Sequence, residues 1–207
     1  MKFYLSSFRL GNKSNELVRL MPNNKKIGYI PNAGDYTEGD RDKKNKWEKE
    51  DIESLEKLGL SVTYLDLKDY FGNINKLRKK INELGGVFIR GGNTFILRQA
   101  MKLSGFDIIF KELLKREDFV YSGYSAALCV LAPNLKALQQ VDDPTNKPYK
   151  EIQETIWEGL EYLDYIILPH YKSDHPESKD VDKEVEYCKK NNIPFKTLKD
   201  GEVIIIE

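Results

Sequence analysis

Phe119-Val-Tyr-Ser-Gly-Tyr-Ser-Ala-Ala-Leu-Cys-Val-Leu131 changes character halfway along. Phe119 to Ser122 has the aromatic and β-branched composition of a buried strand, and Ala126 to Leu131 suits the start of a helix. Only Gly123, Tyr124 and Ser125 lie between them. A strand that passes into a helix through so short a turn is the building unit of an α/β sheet.

The same alternation extends outward in both directions. Strands are predicted at 3–6, 26–31, 62–65, 86–89 and 165–168. Helices are predicted at 46–58, 74–84, 94–102 and 107–115, and around Val181, Val185 and Cys188. Gly59 and Gly85 stand where helix C-cap glycines belong. Phe195–Leu198 and Val203–Ile206 read as a closing pair around the turn Lys199-Asp-Gly201. The segment 133–162 is irregular and is expected to leave the core as a short hairpin or lid. Strands and helices joined by short glycine-rich connections imply an α/β fold, a mostly parallel sheet with helices on both faces. No linker or repeat divides the chain, so residues 1–207 are expected to form a single domain.

Composition narrows the function. Lys plus Arg and Asp plus Glu each total 33, so the net charge is zero and nothing in the balance calls for nucleic acid or an anionic membrane. Basic runs such as Lys76-Leu-Arg-Lys-Lys80 are solvated helix faces. No run approaches about 18 apolar residues, so no membrane span is expected. The opening Met-Lys-Phe-Tyr-Leu-Ser-Ser lacks the long apolar stretch of a secretory leader. The two cysteines, Cys129 and Cys188, have neither metal spacing nor a disulfide framework. Cys129 reads as a small buried hydrophobe. A soluble cytoplasmic protein without metal or cofactor is the expectation.

In a parallel sheet, chemistry gathers at the carboxyl ends of strands. Gly123-Tyr-Ser-Ala-Ala127 resembles the G-x-S-x-G elbow, with Ser125 as nucleophile and the Ala126 amide as an oxyanion donor. A serine N-cap is the alternative. Ile89-Arg-Gly-Gly-Asn-Thr-Phe95 is a second strand, glycine turn and helix. The Gly92 amide is the candidate second donor there, and Arg90 and Asn93 are the candidate substrate-binding residues. The Walker lysine and spacing are absent from this loop. Leu168-Pro-His170 ends a strand with one of the two histidines of the chain, placing His170 as general base. His175 reads as structural or surface. Asp200, in the turn Leu198-Lys-Asp-Gly201, is the candidate that orients His170. A plain Asp-Gly hairpin turn is its alternative, and Asp142, Asp143, Asp174 and Glu177 compete for the role.

In this order the segments resemble the peptidase E family of serine dipeptidases over most of the chain. Phe3-Tyr-Leu-Ser-Ser-Phe-Arg-Leu-Gly11, Ile30-Pro-Asn-Ala-Gly34, Gly91-Gly-Asn-Thr-Phe95, Gly123-Tyr-Ser-Ala126 and Pro169-His-Tyr171 carry the likeness. It implies a class I glutamine amidotransferase-like fold, a flavodoxin-like three-layer sandwich, with serine in place of the amidotransferase cysteine. It also implies Ser125 as nucleophile, His170 as base and Asp200 as the third member, and an acidic residue near Asp142 or Asp143 that matters. The implied activity is hydrolysis of short peptides, with a preference for N-terminal Asp, through an acyl-enzyme. Two positions depart from the family. Ala127 replaces the second elbow glycine, and Arg90 replaces a third loop glycine. A cyanophycinase-like hydrolase, or a non-catalytic binding protein on an amidotransferase-like scaffold, would be compatible with the same pattern.

Overall fold

A computed structural model describes residues 1–36 and 40–207. The elements in chain order begin with β1 (Lys2–Ser6), α1 (Ser14–Leu20), β2 (Lys26–Ile30), α2 (Arg41–Lys57), β3 (Ser61–Tyr64) and α3 (Ile74–Asn82). Next come β4 (Gly86–Ile89), α4 (Thr94–Ser104), α5 (Phe106–Leu113), β5 (Val120–Tyr124) and α6 (Ala126–Cys129). The chain closes with β6 (Ile166–Leu168), α7 (Ser178–Lys190), β7 (Phe195–Thr197) and β8 (Val203–Ile206).

Six strands form one sheet in the order β3-β2-β4-β5-β1-β8. Its first five are mutually parallel, and β8 runs antiparallel to β1 at the edge. Side chains alternate across the sheet as the pleat requires. Phe3, Leu5, Val87, Ile89 and Tyr121 point to the face packed by α3, α4 and α5. Tyr4, Ile27, Tyr29, Phe88 and Val120 point to the face packed by α1 and α2. The product is the expected three-layer sandwich. Among the described residues, no helix is long and apolar enough to cross a membrane.

Register positions the site. Ile30 pairs with Ile89, Ile89 with Gly123, and Gly123 with Leu5. The four strands therefore end level with one another. The segments that follow them, 31–35, 90–93, 124–126 and 6–8, meet along one edge.

Several elements differ from the sequence expectation. α1 was not anticipated; its seven residues carry only Leu17 and Leu20 as buried anchors. α2 starts at Arg41 rather than Lys46, capped by the Asp40 carboxylate on the Lys43 amide at 3.0 Å. Its charged first turn hides the helical period. The closing pair does not form. β7 pairs in parallel with β6 in a separate two-stranded sheet, and β8 joins β1. The turn between them thus carries the chain from one sheet to the other. The segment 133–162 has one isolated antiparallel bridge, Asn134 to Glu158, rather than a hairpin. It is tied across the sheet edge by the Tyr149 hydroxyl, which donates to Asp35 at 2.7 Å.

Candidate active site

Ser125 sits between β5 and α6 with φ 51° and ψ −107°. A residue with a Cβ rarely occupies this region, and single strained residues of this kind cluster at functional sites. Ser125 occupies the N-cap position, yet its side chain makes no cap hydrogen bond, so the N-cap alternative does not account for it. Instead the turn is held by the backbone. The Ser125 amide donates to the Ser6 carbonyl at 3.3 Å, and the Ser125 carbonyl accepts from the Leu128 amide at 2.8 Å. From below, the Tyr121 hydroxyl donates to the Ala127 carbonyl at 2.8 Å.

The turn demands small neighbours. A Cβ on Gly123 would lie 2.3 Å from the Ile89 carbonyl oxygen and 2.6 Å from the Ala127 methyl. Ala127 is fully buried, so its extra methyl occupies space that Gly123 leaves open. A Cβ on Gly91 would lie 3.0 Å from that of Ser125, and one on Gly92 would lie 2.3 Å from the Ala33 carbonyl oxygen. The glycine loop can approach Ser125 only because it lacks side chains. The Ala126 amide opens α6 and belongs to the first-turn donors that have no partner within the helix. Gly92 lines the same cleft as Ser125.

His170 follows β6 at φ 61° and is almost completely buried. The β6–β7 ladder continues past it. The Leu198 amide donates to the Leu168 carbonyl at 3.0 Å, and the Tyr171 amide donates to the Leu198 carbonyl at 2.9 Å. This brings the 199–202 turn alongside, where the His170 Nδ1 lies 2.7 Å from Asp200 Oδ1. The Asp200 amide in turn donates to Ser173 Oγ at 2.8 Å. Burial pushes the imidazole down to about 4, helped by nearby His175 and opposed by Asp200. His170 is therefore neutral at pH 7, as a general base must be.

Two of the four rival carboxylates are engaged elsewhere. Asp142 accepts the Thr94 amide at 2.8 Å, and Asp143 accepts the Thr145 amide at 2.8 Å. Asp174 and Glu177 line the cleft wall. Of the two readings open for His175, structural or surface, the structure shows a half-buried ring packed in place. Its ring stacks on His170 at 3.8 Å between centroids and 11° between planes. Among the described residues, His170, His175 and Glu177 bring ligand atoms within 4.8 Å of one another. A cation binds in the plane of an imidazole, and parallel stacked rings share no such point. His175 would have to turn before the three could close on an ion.

Ser125 and His170 line one cleft of about 1030 Å³. Arg90 lines it too, with only 4% of its surface exposed. Gly34 makes room for the guanidinium, since a Cβ there would lie 2.1 Å from Nη1. Its ion pair with Glu48 is long, at 3.7 Å. Among the described residues, its Nε and Nη1 have no hydrogen-bond partner. Trp47 places its ring 6.0 Å from the guanidinium carbon. Asn93, expected to bind substrate, is spent on structure. Its Oδ1 accepts the amides of Phe95 and Ile96 at 2.8 and 3.1 Å, and its Nδ2 donates to the Asp143 carbonyl at 2.9 Å. With 1% exposure it supports the loop rather than the ligand. Cys129 is buried, and burial pushes its thiol far up, so it is inert.

A serine on a strained strand-to-helix turn, sharing a cleft with a histidine–carboxylate pair at the edge of a parallel sheet, is the arrangement of an α/β serine hydrolase. The chain belongs to peptidase family S51, a family of serine-type peptidases, whose model matches residues 8–207. It is 31% identical over 146 residues to the uncharacterized peptidase Lin0382 of Listeria innocua, covering 70% of this chain and 57% of that protein. It is also 31% identical over 121 residues to the uncharacterized peptidase Lmo0363 of Listeria monocytogenes, covering 58% and 55%. The matched parts thus span little more than half of these curated relatives. In fold, the chain superposes on a crystal structure assigned to peptidase E from Listeria monocytogenes with a TM-score of 0.78 and 23% identity, over 99% of this chain and 93% of that one. A peptidase from an acI-B1 actinobacterium gives a TM-score of 0.67 at 12% identity, over 100% and 83%.

Proposed function

We propose that this chain hydrolyses short peptides through an acyl-enzyme on Ser125, with a preference for substrates that offer a carboxylate to Arg90. The carrying observation is the strained, uncapped Ser125 in the same cleft as His170, whose Nδ1 is 2.7 Å from Asp200. His170 takes the Ser125 proton as the hydroxyl attacks the scissile carbonyl, then passes it to the leaving amine. The amides of Gly92 and Ala126 receive the oxyanion. Asp200 holds the imidazole tautomer. Water, deprotonated by His170, then releases the acid product. The sequence calls on no metal or organic cofactor.

The carboxylate preference is supported by the cost of Arg90 as it stands. Among the described residues, two N–H positions of this buried cation lack a partner and its ion pair with Glu48 is long, so a substrate carboxylate beside the guanidinium would offset a charge that the protein balances poorly. The acidic side chain of an N-terminal Asp is the group this reading favours.

The test is hydrolysis of an X-Leu dipeptide panel that includes Asp-Leu. Asp-Leu is expected to be the best substrate, and Ser125→Ala to lose at least about 10³-fold in kcat. Arg90→Gln is expected to raise KM for Asp-Leu about tenfold or more, with little effect on neutral dipeptides. Turnover that survives Ser125→Ala would remove the mechanism. A folded protein that turns over no dipeptide would return weight to a binding role for the cleft.

A further inference from the structure

Ser7 lies one residue beyond β1 and is fully buried. Its hydroxyl meets both halves of the histidine–carboxylate pair. The Oγ accepts the backbone N–H of His170 at 2.9 Å and donates to Asp200 Oδ1 at 3.0 Å. That carboxylate oxygen is the same atom that lies 2.7 Å from His170 Nδ1. The residue before it serves the nucleophile, since the Ser6 carbonyl accepts the Ser125 amide at 3.3 Å. The end of one strand thus touches the nucleophile turn, the base and the orienting acid.

We propose that Ser7 is a positioning residue for the peptidase chemistry, its hydroxyl holding the His170 backbone while aiming Asp200 at Nδ1. The proposal rests on the assignment of Ser125 and His170 as nucleophile and base. His170 has a positive φ of 61°, which is uncommon for a residue with a Cβ. The bond from its amide to Ser7 Oγ holds the backbone in this conformation at the residue itself. A hydroxyl has a single proton to donate. The alternative acceptor, the Leu198 carbonyl, is at 3.5 Å, so Asp200 Oδ1 is the better partner. With two donors converging on it, that oxygen cannot rotate away from the imidazole. The Nδ1–H tautomer is held, and Nε2 is left as the basic nitrogen. As His170 becomes cationic during the reaction, the carboxylate stays in place to balance the charge.

A serine that merely filled its site would affect stability and not the reaction. The experiment therefore measures kcat and KM for the best dipeptide in wild type, Ser7→Ala, Ser7→Cys and Ser125→Ala. Thermal unfolding and the low-field proton resonance of His170 Nδ1 are recorded alongside. Ser7→Ala is expected to lower kcat about 10- to 100-fold with KM changed less than about threefold, and to broaden or erase the resonance. Ser7→Cys, close in shape with a weaker donor, should fall between. Wild-type kcat in folded Ser7→Ala overturns the proposal. If Ser7→Ala does not fold, Ser7→Cys decides: a lowered kcat at unchanged KM upholds it, and wild-type kcat with an intact resonance overturns it. Loss of turnover in Ser125→Ala beside a fully active Ser7→Ala sinks this inference alone. Turnover that survives Ser125→Ala sinks the underlying assignment as well.

Discussion

At the residue scale, the elbow works by exclusion. Ser125 keeps its strained backbone because Gly123 and Gly91 beside it have no side chain to crowd the turn. Gly123 is the strictest of these. Its φ of +153° and the contacts a Cβ would make, 2.3 Å to a carbonyl oxygen and 2.6 Å to the Ala127 methyl, involve backbone and a packed helix that cannot give way. Gly123→Ala is expected to cost more than about 3 kcal/mol in urea unfolding and to abolish turnover. Ala127→Gly is the informative partner. It removes a methyl that the structure already accommodates, so it should keep turnover within a few-fold while losing about 1 kcal/mol. The small-residue pattern was legible in the sequence. The tolerance of Ala127 was not, because that depends on which atom its methyl faces.

At the element scale, α4 shows how the site is braced. Its N-terminal amides are taken by side chains: Asn93 on Phe95 and Ile96, and Asp142 on Thr94. An acidic group suits a helix N-terminus, yet burial pushes the Asp142 carboxyl up to about 6. A raised carboxyl pKa favours the folded state below the unfolded value of about 4, and this contribution fades as pH rises through about 6. Asp142→Asn retains an acceptor for Thr94 and removes the charge. It is expected to match wild type below about pH 4, to gain on it between pH 4 and 6, and to be about 1 kcal/mol or more ahead near pH 8, by urea unfolding across this range. The sequence marked residues 142 and 143 as rivals of Asp200 for orienting His170, and the structure puts Asp142 on the Thr94 amide. Asp142 lies 48 positions from Thr94, a distance that periodicity does not span.

At the scale of the whole molecule, the base is made by assembly. β6, β7 and the 199–202 turn enclose His170 and bring Asp200 to it, while His175 stacks on the ring. Burial, together with His175, moves the imidazole from 6.5 down to about 4. The activity needs neutral imidazole, so kcat/KM should stay level through the ordinary histidine range and fall only as pH drops toward about 4. A pH–rate profile with an acid limb near 6.5 would contradict this. Stability carries the same sign at this residue. Between about pH 4 and 6.5 the unfolded chain binds more protons here than the folded one, so the contribution is present above 6.5 and is lost on acidification. Glu177, raised to about 7 by burial and then by the charges of Asp142, Asp180 and Asp200, has the opposite sign and loses its contribution as pH rises.

The sequence by itself determined the α/β alternation, the elbow with its serine, the glycine loop and the histidine at a strand end. Each of these is written in local periodicity or in residues that a tight turn requires. It also carried the family resemblance, which lies in the order of those segments. Only the tertiary structure decided which acid faces His170, that Arg90 is buried in the cleft while Asn93 is occupied, and that Ser7 reaches both His170 and Asp200. It also separated β7 from β8, two strands that sequence alone would have paired across an Asp-Gly turn. The reason is physical: these outcomes depend on contacts between residues 30 to 193 positions apart, set by sheet register and by which surfaces bury one another. A local pattern carries no record of either.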